Sequence, residues 1–311
     1  MSSAFAAMAP AAWAEEGVQA WLLRMQQAQQ AVPYQGVFVY ERESNYATYR
    51  VWQGERDGHV VQRIQDQEGD PHELLQQDGR LICNSRGQHV SLLPRLPAEE
   101  HVARLVESYE LRMVGRSRVA GRVSTVLALI PRDKYRYGHE WHVDAQTGVL
   151  LKAVMINDDG QLLERLQFSH FSTEAPAEPA LIPQGPCETM AAAEPVVTPV
   201  LAPMPQWLPP GFIEVRRQQV PNVRAELAVS SVLFSDGLSS FSVYSEPMGQ
   251  QLAADARSQL GPTVAVAHRV QSEQGDVMVT VVGEVPLVAA ERVALSMRVH
   301  DHATASEVTH D

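Results

Sequence analysis

The sequence predicts an α+β protein of two domains, each built on an antiparallel sheet with covering helices. Three observations support this class. Short apolar and β-branched runs alternate with turns that contain Gly and Asp, amphipathic stripes indicate helices near both ends, and a proline-rich stretch separates the halves. The first domain is expected to form a curved sheet or half-barrel, and the second a smaller sheet.

A proline-rich stretch between residues 174 and 210 marks the domain boundary. It contains half of the chain's 20 prolines, and residues 174–206 carry four glutamates and no Lys or Arg. Proline removes backbone donors and favours extended geometry, so the stretch is expected to be a semi-rigid acidic tether. The predicted organisation is a signal-peptide remnant at 1–14, a first domain at 15–173, a linker at 174–206, a second domain at 207–300 and a tail at 301–311.

The first domain combines helical and strand patterns. An apolar stripe with helical spacing begins at Val18 and reaches Ala28, and a second helix is expected to start at Pro97. Asp78-Gly79 predicts a tight hairpin turn, and residues 141–168 predict a three-stranded meander. A curved antiparallel sheet with a helix across its face can enclose a hydrophobic groove.

The second domain repeats the strand pattern on a smaller scale. Strands are predicted around 213–218, 227–234, 241–245, 263–270 and 277–282, with a turn at Ser235-Asp236-Gly237. A final helix is predicted to begin at Pro286.

The N-terminus predicts part of an export signal. Residues 1–14 read MSSAFAAMAPAAWA, with small residues on either side of Trp13 as signal peptidase prefers. The basic region and most of the apolar core of a signal are missing, so either a truncated signal or an alanine-rich leader fits. No run of 18 apolar residues occurs, so no transmembrane helix is expected.

Composition and motifs argue against several classes of function. The formal charge of −12 disfavours nucleic acid as a partner, because phosphate contacts need a basic surface. His139-Glu140-Trp141-His142 lacks the spacing of a zinc protease, and no nucleophile elbow, Walker loop or dinucleotide fingerprint is present. The sequence therefore predicts no enzyme activity, no metal site and no cofactor.

One basic run stands out in this acidic chain. One interpretation is a solvated strand edge that discourages sheet-to-sheet aggregation. Its functional interpretation is contact with an anion, either a lipid phosphate or an acidic stretch of a partner. The candidate anion- or lipid-binding residues are Arg112, Arg116, Arg118, Arg122, Arg132, Lys134 and Arg136.

The two cysteines, Cys83 and Cys187, form a candidate disulfide. An even count permits one bond in an oxidising compartment, whereas in the cytosol the pair would be two unrelated thiols. Cys187 lies in the linker, where a buried thiol has no evident role, and this favours a bond.

Two segments carry a family resemblance. Residues 109–171 include WHVDAQTGVLLKAVMINDDGQLLERLQF, which is similar to the terminal strands of the LolA/LolB-like fold. The later segments LPPGF, LFSDGLSSFSVY and VVGEVPLVAAERVALSM resemble, in order and spacing, the second domain of the RseB/MucB family of periplasmic sigma-factor regulators. The resemblance extends over nearly the whole chain.

This resemblance implies a binding function in the periplasm. It implies a negative regulator of the envelope-stress response that binds the periplasmic part of an RseA/MucA-like anti-sigma factor and shields it from proteolysis. It also implies a first domain that senses lipopolysaccharide or lipoprotein acyl groups. In the second domain, Phe241 and Tyr244 are the candidate partner-binding residues.

The main rival is a periplasmic lipid or lipoprotein carrier of LolA type, and a hydrolase is a more distant one. The second domain discriminates between them, because a carrier does not need it. The sequence leaves the oligomeric state open, a homo-oligomer included.

Overall fold

The computed structural model describes residues 17–69, 72–85, 96–97, 99–185, 188–189, 203–220, 229–248, 254–271 and 275–298. The predicted signal remnant at 1–14, the tail at 301–311 and Cys187 lie outside the described residues. Within these ranges no helix is both long and apolar enough to cross a membrane.

The first domain is one large antiparallel sheet. The chain forms ten of its strands before the linker and adds a short eleventh from the linker itself; β6 and β11 lie at its two edges. The strands are β1 (Tyr34–Arg42), β2 (Asn45–Arg56), β3 (His59–Asp66), β4 (Glu73–Gln77), β5 (Arg80–Asn84), β6 (Tyr109–Val119), β7 (Arg122–Pro131), β8 (Gly138–Asp144), β9 (Leu150–Ile156), β10 (Leu162–Ser172) and β11 (Glu188–Thr189).

Tight turns set the order of these strands. The predicted turn at Asp78-Gly79 joins β4 to β5, and both residues adopt positive φ, of 49° and 74°. Two consecutive positive φ values are the geometry that matches the twist of a two-residue hairpin, which is why Asp-Gly is favoured there. The predicted meander is confirmed as β8, β9 and β10, paired in sequence.

Two helices fill the inner face of the sheet. They are α1 (Val18–Ala31) and α2 (Glu99–Ser108), close to the positions that the apolar stripe and Pro97 predict. The predicted stripe of α1 buries Trp21, Leu22 and Met25 in one cluster with Trp141 of β8. Burial of each such side chain contributes about 1.5–3 kcal/mol. Packing against the sheet therefore fixes both helices.

The beginning of the predicted tether is part of the first domain. A 3₁₀ helix at Glu178–Leu181 lies on β2 and β3, with Leu181 only 1% exposed. The backbone carbonyl of Ala180 accepts a hydrogen bond from Arg63 at 3.1 Å. This differs from the extended acidic tether that the prolines predict, because one leucine and a buried arginine hold the segment against the sheet.

The second domain is a smaller sheet covered by one helix. Its described strands are ordered β13-β14-β15-β18-β17-β16, so β13 and β16 form the edges. The elements are β12 (Met204–Pro205), β13 (Ile213–Val220), β14 (Val229–Ser235), β15 (Ser240–Pro247), β16 (Ala256–Leu260), β17 (Thr263–Val270), β18 (Val277–Gly283), α3 (Leu287–Leu295) and β19 (Met297–Arg298).

The core of the second domain lies between this sheet and α3. It is built from valines of the sheet, the aromatic rings of Phe212, Phe234 and Phe241, and the alanine-rich face of α3. The predicted α+β class with two antiparallel domains is confirmed.

Candidate functional site

The predicted basic run divides between two places in the structure. Arg112, Arg116 and Arg118 lie on β6, the edge strand of the large sheet. Arg112 pairs with Glu110 at 2.7 Å, and Arg118 donates to the backbone carbonyl of Gly121 at 2.8 Å. This half of the run stands at an exposed strand edge.

The rest of the run has other partners. Arg122 binds both carboxylate oxygens of Asp144 at 2.9 Å, and this hydrogen bonding raises the pKa of the arginine. Arg132 donates to the carbonyl of Val106 at 3.1 Å, and Lys134 is exposed in the loop between β7 and β8. The seven basic residues therefore do not form one anion-binding surface.

Arg136 is a correction to the predicted anion-binding set. Its side chain is fully buried, and its guanidinium binds Asp133 through two hydrogen bonds of 3.0 and 3.1 Å. A third bond, of 2.6 Å, joins it to Asp236 of the second domain. Its charge is neutralised by two carboxylates, so it cannot serve an external anion.

Asp236 receives Arg136 in a preformed site of the second domain. Its Oδ1 accepts the backbone N–H groups of Leu238 and Ser239 at 2.9 and 2.8 Å, which is the Asx-turn geometry that Ser235-Asp236-Gly237 predicts. Its Oδ2 points to the first domain, where it accepts from Arg136 and from the Tyr109 hydroxyl at 3.4 Å. Burial raises the pKa of Asp236, and these donors oppose that rise.

Further contacts join the two domains around this pair. Tyr137 donates to the carbonyl of Val285 at 3.0 Å, and Arg136 donates to that of Pro210 at 2.6 Å. The rings of Tyr135 and Trp207 meet edge to face at 4.8 Å, with the guanidinium of Arg292 4.0 Å from the indole centroid. We call these residues, with Tyr109 and Asp236, the domain joint.

A second contact between domains lies at the tip of the β1–β2 hairpin. Arg42 donates to the carbonyl of Leu260 at 3.0 Å and to the Thr263 hydroxyl, and Glu43 accepts the backbone N–H of Gly261. Strand ends and the turns beside them therefore supply these contacts on both sides of the boundary.

The candidate partner-binding residues lie on opposite faces of β15. Phe241 is 1% exposed and stacks on Phe234 at 5.4 Å and Phe212 at 5.2 Å, so it belongs to the core and cannot meet a partner. Tyr244 is 38% exposed, because strand alternation turns it to the outer face. Only Tyr244 of this pair is available at the surface.

A cavity in the first domain and a groove in the second, both lined by described residues, differ widely in size. On the inner face of the first domain, Tyr34, Gln62 and Phe168 line a cavity of about 40 Å³. In the second domain, a groove of about 400 Å³ runs between the edge strand β16 and α3. Ligand sites usually measure about 300–1,000 Å³. The cavity beside Tyr34 and Phe168 is therefore too small to hold an acyl chain.

Titratable groups of unusual pKa lie inside the first domain. Burial raises the pKa of Glu164 to about 7, while the Tyr40 hydroxyl donates to it at 2.7 Å. Burial lowers the pKa of His139 to about 4. Within the described residues, no three His, Cys, Asp or Glu side chains converge to hold a metal ion.

Cys83 lies in β5, is 4% exposed and is bonded in a disulfide. The linker strand β11 pairs with β5 so that Thr189 lies opposite Cys83. Because Cys187 lies outside the described residues, the pairing itself stays a prediction.

Sequence reasoning missed the domain joint. The sequence groups Arg136 with its basic neighbours and places Asp236 in a turn, and 100 positions separate the two residues. The available signals were Asp133, which could neutralise Arg136 locally, and the aromatic residues on either side of that arginine.

Comparisons with known proteins match both domains. The family model of the MucB/RseB N-terminal domain matches residues 17–186, and that of the MucB/RseB C-terminal domain matches residues 204–298. The sigma factor AlgU regulatory protein MucB of Pseudomonas aeruginosa is 43% identical over 283 residues, which cover 89% of this chain and 90% of that protein.

Two solved structures are similar over the same extent. The complex structure of Pseudomonas aeruginosa MucA/MucB superposes with a TM-score of 0.79 at 42% identity, covering 90% of this chain and 98% of that one. A crystal structure of MucB superposes with a TM-score of 0.66 at 42% identity, covering 90% and 97%.

Proposed function

Since the chain belongs to the MucB/RseB family, we propose that it is a periplasmic negative regulator of an envelope-stress sigma factor. It binds the periplasmic part of a membrane-anchored anti-sigma factor and shields that segment from proteolysis. It acts by binding and breaks no covalent bond. The free energy of its regulation is the difference in partner affinity between signal-bound and signal-free states.

The observation that carries this proposal is the match of both domains, in order, to a relative whose solved structure is a complex with MucA. A lipid or lipoprotein carrier would need only the first domain. It would not need the second domain or the buried polar joint that holds the two together. The carrier is therefore the weaker proposal.

Tyr244 and the nearby strands of the second domain are the proposed contact surface for the partner. Tyrosine is enriched among residues that dominate binding energy, since it offers a large rigid ring with a polar tip. We expect Tyr244→Ala to weaken binding of a fluorescent anti-sigma periplasmic fragment about tenfold or more, which corresponds to about 1.4 kcal/mol. The full-length chain is used throughout.

Tyr46→Ala is the matched control, because Tyr46 is another exposed tyrosine, on β2 of the first domain. If Tyr244→Ala bound the fragment as tightly as wild type and Tyr46→Ala do, Tyr244 would be excluded from the contact surface. If the wild-type chain neither binds the fragment nor slows its cleavage by a site-specific protease, the regulator proposal itself fails.

The sensing proposal concerns the arginines of β6. An exposed edge with Arg112, Arg116 and Arg118 suits an anionic lipid headgroup, and such attraction weakens with salt. Reversal of these three to Glu should reduce binding to vesicles that contain anionic lipid at low salt. Reversal of the exposed Arg50, Arg80 and Arg216 is the control. Unchanged binding by the β6 variant would leave its arginines as a solvated edge.

A further inference from the structure

The domain joint differs from an ordinary core because each side keeps its own partners. Arg136 holds Asp133 within the first domain through two hydrogen bonds. Asp236 holds two backbone N–H groups within the second. If the domains separated, neither charge would be left without a partner. The usual penalty for breaking a buried ion pair, which comes from one stranded charge, is therefore reduced here.

The joint is nevertheless specific when it is closed. The side chains of Arg136 and Asp236 are 0% and 1% exposed, and the atoms that join them are 2.6 Å apart. The guanidinium also lies 5.4 Å from the Tyr109 ring and 5.3 Å from the Phe212 ring, one from each domain. Such a site accepts one planar cation in one orientation, which fixes the angle between the domains.

The contacts that surround the pair come mostly from loops, although Tyr109 lies at the start of β6 and Arg292 lies in α3. Interfaces of this kind within a chain resemble transient ones, and relative motion of the domains is the default expectation. The two MucB structures compared above bear on this point. At the same identity, this chain superposes better on MucB in the MucA complex than on MucB alone. The two structures of the relative therefore differ from each other, with TM-scores to this chain of 0.79 and 0.66.

We infer that the Arg136–Asp236 pair is a reversible latch, and that its closed state is the arrangement of domains that binds the anti-sigma partner. This inference rests on the proposed function. The latch acts by positioning: it touches no partner residue, but it holds the surfaces of both domains in one frame. Partner binding and latch closure then favour each other, since a ligand shifts an equilibrium toward the state it binds better.

The test compares two full-length variants, each of which neutralises one of the two carboxylates that bind Arg136. Asp236→Asn removes the partner across the boundary, and Asp133→Asn removes the partner within the first domain. We expect Asp236→Asn to increase the radius of gyration in small-angle scattering and to weaken binding of the anti-sigma fragment at least tenfold. We expect Asp133→Asn to leave both quantities within about twofold of wild type.

A purely structural role gives a different pattern. It would lower the unfolding temperature in both variants and leave partner affinity unchanged among folded molecules. Tyr109→Phe removes only the hydroxyl that contacts Asp236 and Ser239. It serves as the milder variant if Asp236→Asn does not fold, and it should change scattering and affinity in the same direction by a smaller factor.

Two results would overturn the latch: unchanged scattering in folded Asp236→Asn, or separated domains that still bind the fragment with wild-type affinity. Failure of the wild-type chain to bind the fragment is distinct from both and would overturn the proposed function instead.

Discussion

Two buried arginine–carboxylate pairs of similar burial hold different parts of this molecule. Arg63 and Glu73, on the neighbouring strands β3 and β4, are 2% and 4% exposed. Arg136 and Asp236 are as deeply buried but belong to different domains. The first pair holds the start of the linker, since Ala180 and Gln184 bond to it, whereas the second holds one domain to the other. Burial alone therefore does not reveal what an ion pair controls; its connectivity does.

The largest expected loss of stability comes from breaking the Arg63–Glu73 pair within the first domain. Hydrogen bonds from Arg63 and from the Gln184 N–H overcome burial and hold the pKa of Glu73 below its ordinary value. Glu73→Ala strands the buried arginine and should lower the free energy of unfolding by about 3–5 kcal/mol in urea titration. Asp236→Asn should instead separate folded domains. If Glu73→Ala left the stability unchanged, the two pairs would not differ in the way proposed.

The disulfide of Cys83 reinforces the same region as Glu73. We propose Cys187 as its partner, which would tie the linker to β5. Reduction should destabilise the first domain by about 2–4 kcal/mol, because the bond restricts the unfolded chain. Thiol titration of the unfolded, unreduced chain should find no free thiol, and two thiols per chain would contradict the pairing. Scattering under reducing conditions should still give joined domains if the latch is independent.

The dependence of stability on pH gives a further comparison, because the pKa values of Glu164 and Glu73 are shifted in opposite directions. The pKa of Glu164 is raised by burial to about 7. The stabilisation associated with its protonated form is complete below its ordinary pKa of 4.5 and is lost as pH rises through about 7. Between pH 5 and pH 8 the unfolding temperature of wild type should therefore fall relative to that of Glu164→Gln, because buried His139, whose pKa is lowered to about 4, affects both proteins alike. If the unfolding temperatures of wild type and Glu164→Gln depended on pH in the same way, a group other than Glu164 would be responsible for the titration.

The smallest effect is expected at the exposed end of the basic run. Arg118 lies on the edge strand β6, and the residue it bonds to there, Gly121, offers a backbone carbonyl. Arg118→Ala should change the free energy of unfolding by no more than about 0.5 kcal/mol. A loss as large as that of Glu73→Ala would mean that this edge is structural and would remove it as a sensing surface.

The sequence predicts the elements well because turn chemistry and periodicity are local. Asp78-Gly79, the stripe from Val18 to Ala28 and the helix after Pro286 all agree with the structure. Proline content predicts where the domains divide, but it cannot show that Leu181 packs against the first sheet, because one buried leucine has no periodic signature.

The candidate binding residues are harder to predict because their roles depend on distant partners. Strand alternation shows that Phe234, Phe241 and Tyr244 cannot all face one way, but not which of them is buried. Arg136 is indistinguishable by type from Arg118, and a contact 100 positions away decides its role. A run of like charges in a sequence thus specifies composition, while the fold decides which charges share a surface.

The helices packed inside the first sheet give the chain an intrinsic optical reporter. Trp21 of α1 is 8% exposed and lies beneath Arg24, whose guanidinium carbon is 4.8 Å from the ring. An acyl chain cannot enter a space of about 40 Å³ without displacing the packing that α1 completes. Gln29 of α1 lines that space, so entry would displace the helix that carries Trp21 and should change the emission of its indole against the background of the chain's four other tryptophans.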